Sequence, residues 1–213
     1  MKLYGYYRSS ASYRIRIVLN AKNIAWEYVA VRLDKGEQLA AEHNARNPLK
    51  LVPVLDTGDA MLAQSVAIAE YLENLHPEPA LLPANELARA QVREMQHIIS
   101  SEVQPLCNLR VLKHIRNEYD LDDASVTEWA HLWMRRGFDA FEQRAQERST
   151  DGRFSFGDSL SLADAWLMPQ IYNAERFAMD LDAYPTIQGI VSHLSTIDPI
   201  ASAHPAKQPD SPA

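Results

Sequence analysis

The segment Arg8-Ser9-Ser10-Ala11-Ser12-Tyr13-Arg14-Ile15-Arg16 joins a strand-like stretch to a helix-like one. It holds several groups that can do chemistry. A helix N-terminus presents backbone N–H groups without intrahelical partners and a partial positive charge. A thiolate placed there is stabilised, and its pKa falls. The hydroxyls of Ser9 and Ser10 stand where they can donate to such a sulfur. The plainer role for both serines is to cap the helix, and on the residues alone capping is the better reading.

Two further signals follow along the chain. Val52-Pro53 sits in the apolar run Leu51–Leu55, where a proline deletes a ladder donor. A cis Val52–Pro53 peptide that turns the Val52 backbone toward a ligand accounts for it; the alternative is an edge strand with a trans proline. Gln64-Ser65 opens another helix. An anion such as a carboxylate is favoured at that end, and the bland alternative is again an N-cap.

Other chemistry-bearing residues weigh less. The seven histidines have no metal-ligand spacing. His97, His114 and His131 fall on helices as surface or groove residues, and His193 and His204 read as solvated. Cys107 is the single cysteine and reads as a small packing residue. Trp129 and Trp133 read as core. Asp120, Asp122 and Asp123 read as a solvated loop and a helix start.

The elements that must position these groups change character near residue 80. Before it, periodicity gives β-α-β-α-β-β-α. A strand at Leu3–Tyr7 is followed by a helix over Ser12–Lys22 and a strand over Trp26–Val31. A short helix over Gln38–Arg46, an apolar run at Leu51–Leu55, a turn at Asp56–Asp59 and a strand at Ala60–Ala63 come next. A helix over Ser65–Leu75 closes the unit. Pro77, Pro79 and Pro83 cannot continue it and mark the boundary. From Leu87 the period is helical. Val92, Met95, Ile99 and Val103 form one stripe, which Pro105 kinks or ends. Ser161-Leu162-Ala163-Asp164 matches a capping box with Asp in place of Glu, opening a helix to Arg176. The Pro- and Ala-rich tail from Ser202 is expected to fray. The division is residues 1–82 as an α/β domain and 87–213 as an all-helical one.

Bulk properties narrow the class. The chain has 213 residues, 46% of them hydrophobic, which suits a packed protein. No apolar run is long enough for a bilayer span, and the N-terminus lacks signal-peptide anatomy. One cysteine excludes an internal disulfide framework. A cytoplasmic location and no membrane partner are expected. A formal net charge of -7 without a long basic run argues against nucleic acid.

Taken together and in order, these motifs resemble the zeta class of glutathione transferases. The stretch Arg8–Ile17 looks like the class signature S-S-C-S-[WY]-R-V-R-I. Asn47-Pro48 through Val52-Pro53, Gln64-Ser65, Gln104-Pro105-Leu106 with Asn108, Ala174-Glu175-Arg176-Phe177 and Gln208-Pro209-Asp210 follow the same pattern. The resemblance covers essentially the whole chain. It implies a thioredoxin-like N-terminal domain, an all-α C-terminal domain and a homodimer. It implies that Gln64 and Ser65 hold the γ-glutamyl end of glutathione, that the Val52 backbone pairs with its cysteinyl amide, and that Gln38 reaches its glycyl end. Ser9 and Ser10 then face the sulfur as the catalytic pair, while Gln104, Asn108 and Arg110 complete the site. Arg8, Arg110 and Arg176 are the candidates for gripping an anionic substrate, since a guanidinium binds a carboxylate in two bonds and stays charged.

The implied activity is isomerisation of maleylacetoacetate or maleylpyruvate to the fumaryl isomer. A conjugated cis double bond does not rotate freely. Thiolate addition makes it single, rotation follows, and expulsion leaves the trans form. One departure stands out: Ala11 replaces the cysteine that usually follows the two serines. That removes an enzyme thiol and leaves the basic mechanism intact, because glutathione brings the nucleophile. The competing expectations are a broader transferase that conjugates or dehalogenates small electrophiles, and a non-catalytic binding protein on the same fold. The second would be expected to lose the Ser9-Ser10 donors or the glutathione contacts, and the sequence keeps both.

Overall fold

The computed structural model describes residues 1–212. They form two compact units.

The first unit comprises Met1–Ala80 and the segment from Ile197 onward. Its elements are β1 (Lys2–Gly5), α1 (Ser10–Ala21), β2 (Glu27–Ala30), a 3-10 turn (Glu37–Leu39), α2 (Ala41–Arg46), β3 (Val54–Asp56), β4 (Met61–Ala63) and α3 (Ser65–Leu75). The sheet order is β2-β1-β3-β4. β1 and β2 run parallel, and β3 is antiparallel to both β1 and β4. A parallel pair needs a crossover, which α1 supplies. Leu3, Leu55, Ile15, Val18, Leu19, Ile68 and Leu72 are buried completely and make the core of this unit.

Near α1 the sequence period breaks down, because every residue from Ser12 to Leu19 is buried. Arg14 and Arg16 are among them, at 1% and 0% exposure. A buried guanidinium needs acceptors. Arg16 finds one on the tail, donating from Nε to the Ala203 carbonyl at 2.9 Å. The tail is therefore ordered: α9 (Asp198–Ala203) packs on α1, and a 3-10 turn (Pro205–Lys207) follows. The expected fraying from Ser202 does not occur, and the segment from Ile197 belongs with the α/β unit instead of the helical one.

The second unit, Leu81–Thr196, is all helical apart from one isolated bridge between Ser149 and Gly157. It contains α4 (Glu86–His97), a π-helical segment (Ile98–Val103), α5 (Leu109–Glu118), α6 (Asp123–Arg148), α7 (Leu162–Arg176) and α8 (Pro185–Leu194). Val92, Met95, Ile99 and Val103 are all at 0% exposure. The stripe runs through the π segment, and the helix ends before Pro105. Gly137 of α6 makes room for it, since a Cβ there would stand 2.0 Å from Val103 Cγ2. The capping box at Ser161 is present. Asp164, fully buried, accepts from Ser155 N at 2.7 Å and from Ser161 N and Oγ at 2.8 and 2.9 Å. Asp122 caps α6 through Ser125 N.

Candidate functional site

Register alone gathers most of the first-unit candidates. β3 begins at Val54, opposite Tyr4 on β1, and β4 ends at Ala63, opposite Val54. The chain therefore leaves β1 toward Ser9, enters β3 from Val52 and leaves β4 toward Gln64 at one end of the sheet. Gln38 lies in the loop that leaves β2, parallel to β1, at the same end.

Ser9 is the N-cap of α1, and its Oγ accepts the Ser12 N–H at 3.2 Å. The capping role is real for this serine. Accepting that bond leaves the hydroxyl proton free to point elsewhere. Ser10 is the first helical residue, and its hydroxyl has no hydrogen bond among the described residues. The turn before them is closed by Ser9 N–H on the Tyr6 carbonyl at 3.0 Å. Tyr6 N–H in turn donates to Ser12 Oγ at 3.4 Å. Gly5 leaves room nearby: a Cβ there would stand 3.2 Å from Ser12 Oγ and from the Tyr28 ring, a tight contact to which those side chains would have to give way. Arg8 lies 6.0 Å from the Tyr6 ring centroid.

The Val52–Pro53 peptide is cis. Val52 packs with Tyr6 and Val31, and its backbone groups make no hydrogen bond among the described residues. The loop that presents it is fixed one residue earlier. The Leu51 carbonyl meets His43 Nε2 at 3.0 Å and accepts from Asn47 Nδ2 at 2.9 Å. Both side chains are buried. Sequence reasoning missed this pair; Asn47 stood in the quoted motif, but only a long-range contact reveals what it holds.

Gln64 precedes α3 with φ 72°, a left-handed conformation for a residue with a side chain. Its side chain is exposed and makes no capping bond. Ser65 is buried, and Arg14 donates from Nη1 to its Oγ at 3.4 Å. This bond ties α1 to the start of α3. Burial lowers the Arg14 pKa to about 9, still above neutrality, so the group remains a cation beside the α3 N-terminus. Sequence reasoning missed Arg14, because a positive residue on a helix reads as solvated. Gln38 is half-buried, with Oε1 buried and unpartnered among the described residues.

Neighbours of the second-unit candidates, Leu106 and Phe177, are held to one stretch of α6. Gln104 follows the π segment, its N–H donating to the Ile99 carbonyl at 2.9 Å. Asn108 is the N-cap of α5 and accepts the Arg110 N–H at 3.1 Å. Trp129 Nε1 donates to the Leu106 carbonyl at 2.9 Å, holding this turn to α6. Half a turn on, His131 Nε2 meets the Phe177 carbonyl at 2.8 Å. Arg176, beside Phe177, is exposed and donates to Asn173 Oδ1 at 3.1 Å. Trp129 is thus a brace, and neither it nor Trp133 is the core residue expected, since both are only half-buried. Cys107 is buried, 3.7 Å from the Ala130 carbonyl, and burial pushes its thiol up to about 12. Burial therefore speaks against a nucleophilic role for it.

In the first unit, two helix N-termini lie beside a backbone segment with free N–H and C=O groups. Such a place can pair with an extended peptide, hold a carboxylate and lower the pKa of a thiol. Among the described residues no cluster of His, Cys, Asp and Glu could hold a metal ion.

The fold and these features define a glutathione transferase, and the family model of the glutathione S-transferase N-terminal domain matches residues 1–74. The chain is 44% identical to a maleylpyruvate isomerase from a Ralstonia species, over 99% of this chain and 100% of that protein. Among solved structures it is similar to the holo form of maleyl pyruvate isomerase, described as a bacterial zeta-class glutathione S-transferase. The TM-score is 0.97 and the identity 43%, with both chains fully covered. A maleylacetoacetate isomerase from Anaeromyxobacter dehalogenans 2CP-1, with glutathione in its active site, is 43% identical with a TM-score of 0.88; the likeness covers 99% of this chain and 97% of that one. The chain belongs to the zeta class of glutathione transferases, the family of the maleylacetoacetate and maleylpyruvate isomerases.

Proposed function

We propose that this protein is a glutathione-dependent cis–trans isomerase that converts a maleyl keto acid, maleylacetoacetate or maleylpyruvate, to its fumaryl isomer. The observation that carries the reading is the pairing of the Ser9-Ser10 helix start with the unpaired Val52 backbone at one end of the sheet. The relatives' names give the same activity.

The residues present fit glutathione. Val52 offers both backbone groups to a peptide, and Gln64-Ser65 at the start of α3 suits a terminal carboxylate. Gln38, Gln104, Asn108 and Arg110 are assigned to the rest of the tripeptide. When bound, glutathione supplies the nucleophilic sulfur that adds to the double bond and leaves it. Ser9 and Ser10, with the α1 N-terminus, stabilise negative charge on that sulfur. Arg8, Arg176 and Arg110 orient the acid's carboxylates, which an overall charge of -7 would otherwise repel.

The reading extends to a homodimer in the cytoplasm. Leu49 and Met61 of the α/β unit, 53% and 43% exposed, are apolar groups that a second copy would cover. Light scattering at micromolar concentration tests the dimer, and fractionation of the source cells tests the location. For the activity, the loss of maleylpyruvate absorbance is followed with and without glutathione, and kcat/KM is compared with that for maleylacetoacetate. Turnover only with glutathione is expected. Glutathione-independent turnover, or none with either acid, removes the reading.

A further inference from the structure

Tyr7 is gripped by both of its backbone groups. Its N–H donates to Asp210 Oδ2 at 3.0 Å, across 203 positions of sequence. Its carbonyl accepts from Arg16 Nη2 at 3.0 Å. Both grips lead to the C-terminal tail, since Arg16 also donates to the Ala203 carbonyl at 2.9 Å. The tail is braced internally by Gln208, whose Nε2 donates to the carbonyls of Ser202 and His204 at 3.2 and 3.0 Å. Asp210 Oδ1 is buried, as is the Tyr28 hydroxyl of β2, and neither atom has a hydrogen-bond partner among the described residues.

What these contacts hold is the turn that delivers the serine pair. Tyr7 and Arg8 are the two central residues of the turn closed by Ser9 N–H on the Tyr6 carbonyl. Ser9 and Ser10 follow immediately. A turn fixed at both groups of a central residue cannot swing, so the direction in which α1 begins is set by a carboxylate near the other end of the chain. Hydrogen bonds to a developing or full charge lose strength steeply with small displacements, and misplacement by about 1 Å can cost about a hundredfold in rate.

We propose that Asp210 is a positioning residue for the thiolate site: by holding the Tyr7 N–H it fixes the turn that aims the Ser9 and Ser10 hydroxyls and the α1 N-terminus at the sulfur. It touches neither substrate nor glutathione in this role. The inference rests on the proposed function, in which those serines face glutathione sulfur.

The test uses the full-length protein and the variants Asp210→Ala and Asp210→Asn. For each, the thiol pKa of bound glutathione is read by ultraviolet titration, alongside kcat and KM for maleylpyruvate and Tm. Asp210→Ala is expected to raise the bound thiol pKa and lower kcat by roughly ten- to a hundredfold, with KM for the acid little changed. Asp210→Asn keeps an acceptor oxygen for Tyr7 and should recover most of both. A lower Tm with unchanged thiol pKa and kcat makes Asp210 a tail fastener only and overturns the proposal. Should Asp210→Ala not fold, a chain ending at Pro209 gives the same readouts; failure of both to fold makes the contact a requirement of folding alone and likewise overturns it. A wild-type protein that binds no glutathione removes the functional reading first, and is thereby distinguished from a failure of this inference.

Discussion

The Ser12 backbone N–H donates to Ser9 Oγ at 3.2 Å, while the neighbouring Ser10 hydroxyl has no such bond among the described residues. One serine is cap and candidate donor together, and the other is free for the sulfur. Ser9→Ala is expected to cost about 1 kcal/mol of stability through the lost cap, along with activity. Ser10→Ala should leave stability within about 0.5 kcal/mol and lower the rate by roughly 10²–10³-fold. Urea unfolding and single-turnover rates check both. Wild-type rates in both single variants and the double variant would refute the assignment.

Arg176 beside the His131-braced Phe177 carbonyl leads to a second expectation. Arg176→Ala should reduce kcat/KM for the maleyl acids while glutathione affinity barely changes. Arg176→Lys should rescue only in part, because a lysine keeps the charge without the paired geometry. Normal kcat/KM for both acids in the alanine variant would sink the idea that this residue orients substrate.

Cys107 should not react with an alkylating reagent near neutral pH until the protein unfolds. Its folded pKa is raised by burial to about 12, against about 8.5 in an unfolded chain. Between those values the unfolded state has lost the proton and the folded state has kept it. The stabilising contribution is therefore complete below the lower value and is lost as pH rises toward the upper one. Cys107→Ala should show a shallower fall of stability with pH across that window. Rapid alkylation of the native protein would contradict the burial argument.

Lys22 and Glu73 form a buried pair at 2.6 Å, with the lysine side chain wholly buried. Lys22 Nζ also donates to the carbonyls of His76 and Pro79 at 2.7 and 3.0 Å, tying down the segment after α3. Lys22→Met should destabilise by roughly 3–5 kcal/mol, since it takes the lysine from a buried ion pair. Adding Glu73→Leu should recover a large part of the loss. A denaturant double-mutant cycle measures the coupling, and additive losses would argue against it.

Much of the architecture was legible because it rests on local patterns. The helix over Ser65–Leu75, the cap at Ser161, the fully buried stripe from Val92 to Val103 and the turn before β4 follow from period, capping chemistry and turn residues. Ser9-Ser10 and Gln64-Ser65 were visible as helix starts for the same reason. Boundaries moved where tertiary contacts outweigh local preference. The predicted helix over Gln38–Arg46 splits into a 3-10 turn and α2 at Ala40, and the strand predicted from Leu51 begins at Val54, after the cis proline.

The sequence by itself determined the order of elements, the break near the prolines at 77–83 and the family, because apolar spacing and short motifs are written in neighbouring residues. The tertiary structure alone decided where buried polar groups find partners. Nothing local tells that Arg16 needs the Ala203 carbonyl, that Arg14 reaches Ser65, or that Asp210 takes the Tyr7 N–H. The tail looked ready to fray for the same reason. Its Pro- and Ala-rich sequence has little apolar period of its own, yet it supplies acceptors to a buried guanidinium and a half-buried turn. A buried donor without an acceptor is costly, so these contacts between residues some 50 to 200 positions apart are set by the desolvation of the whole unit, which no window of neighbouring residues reveals.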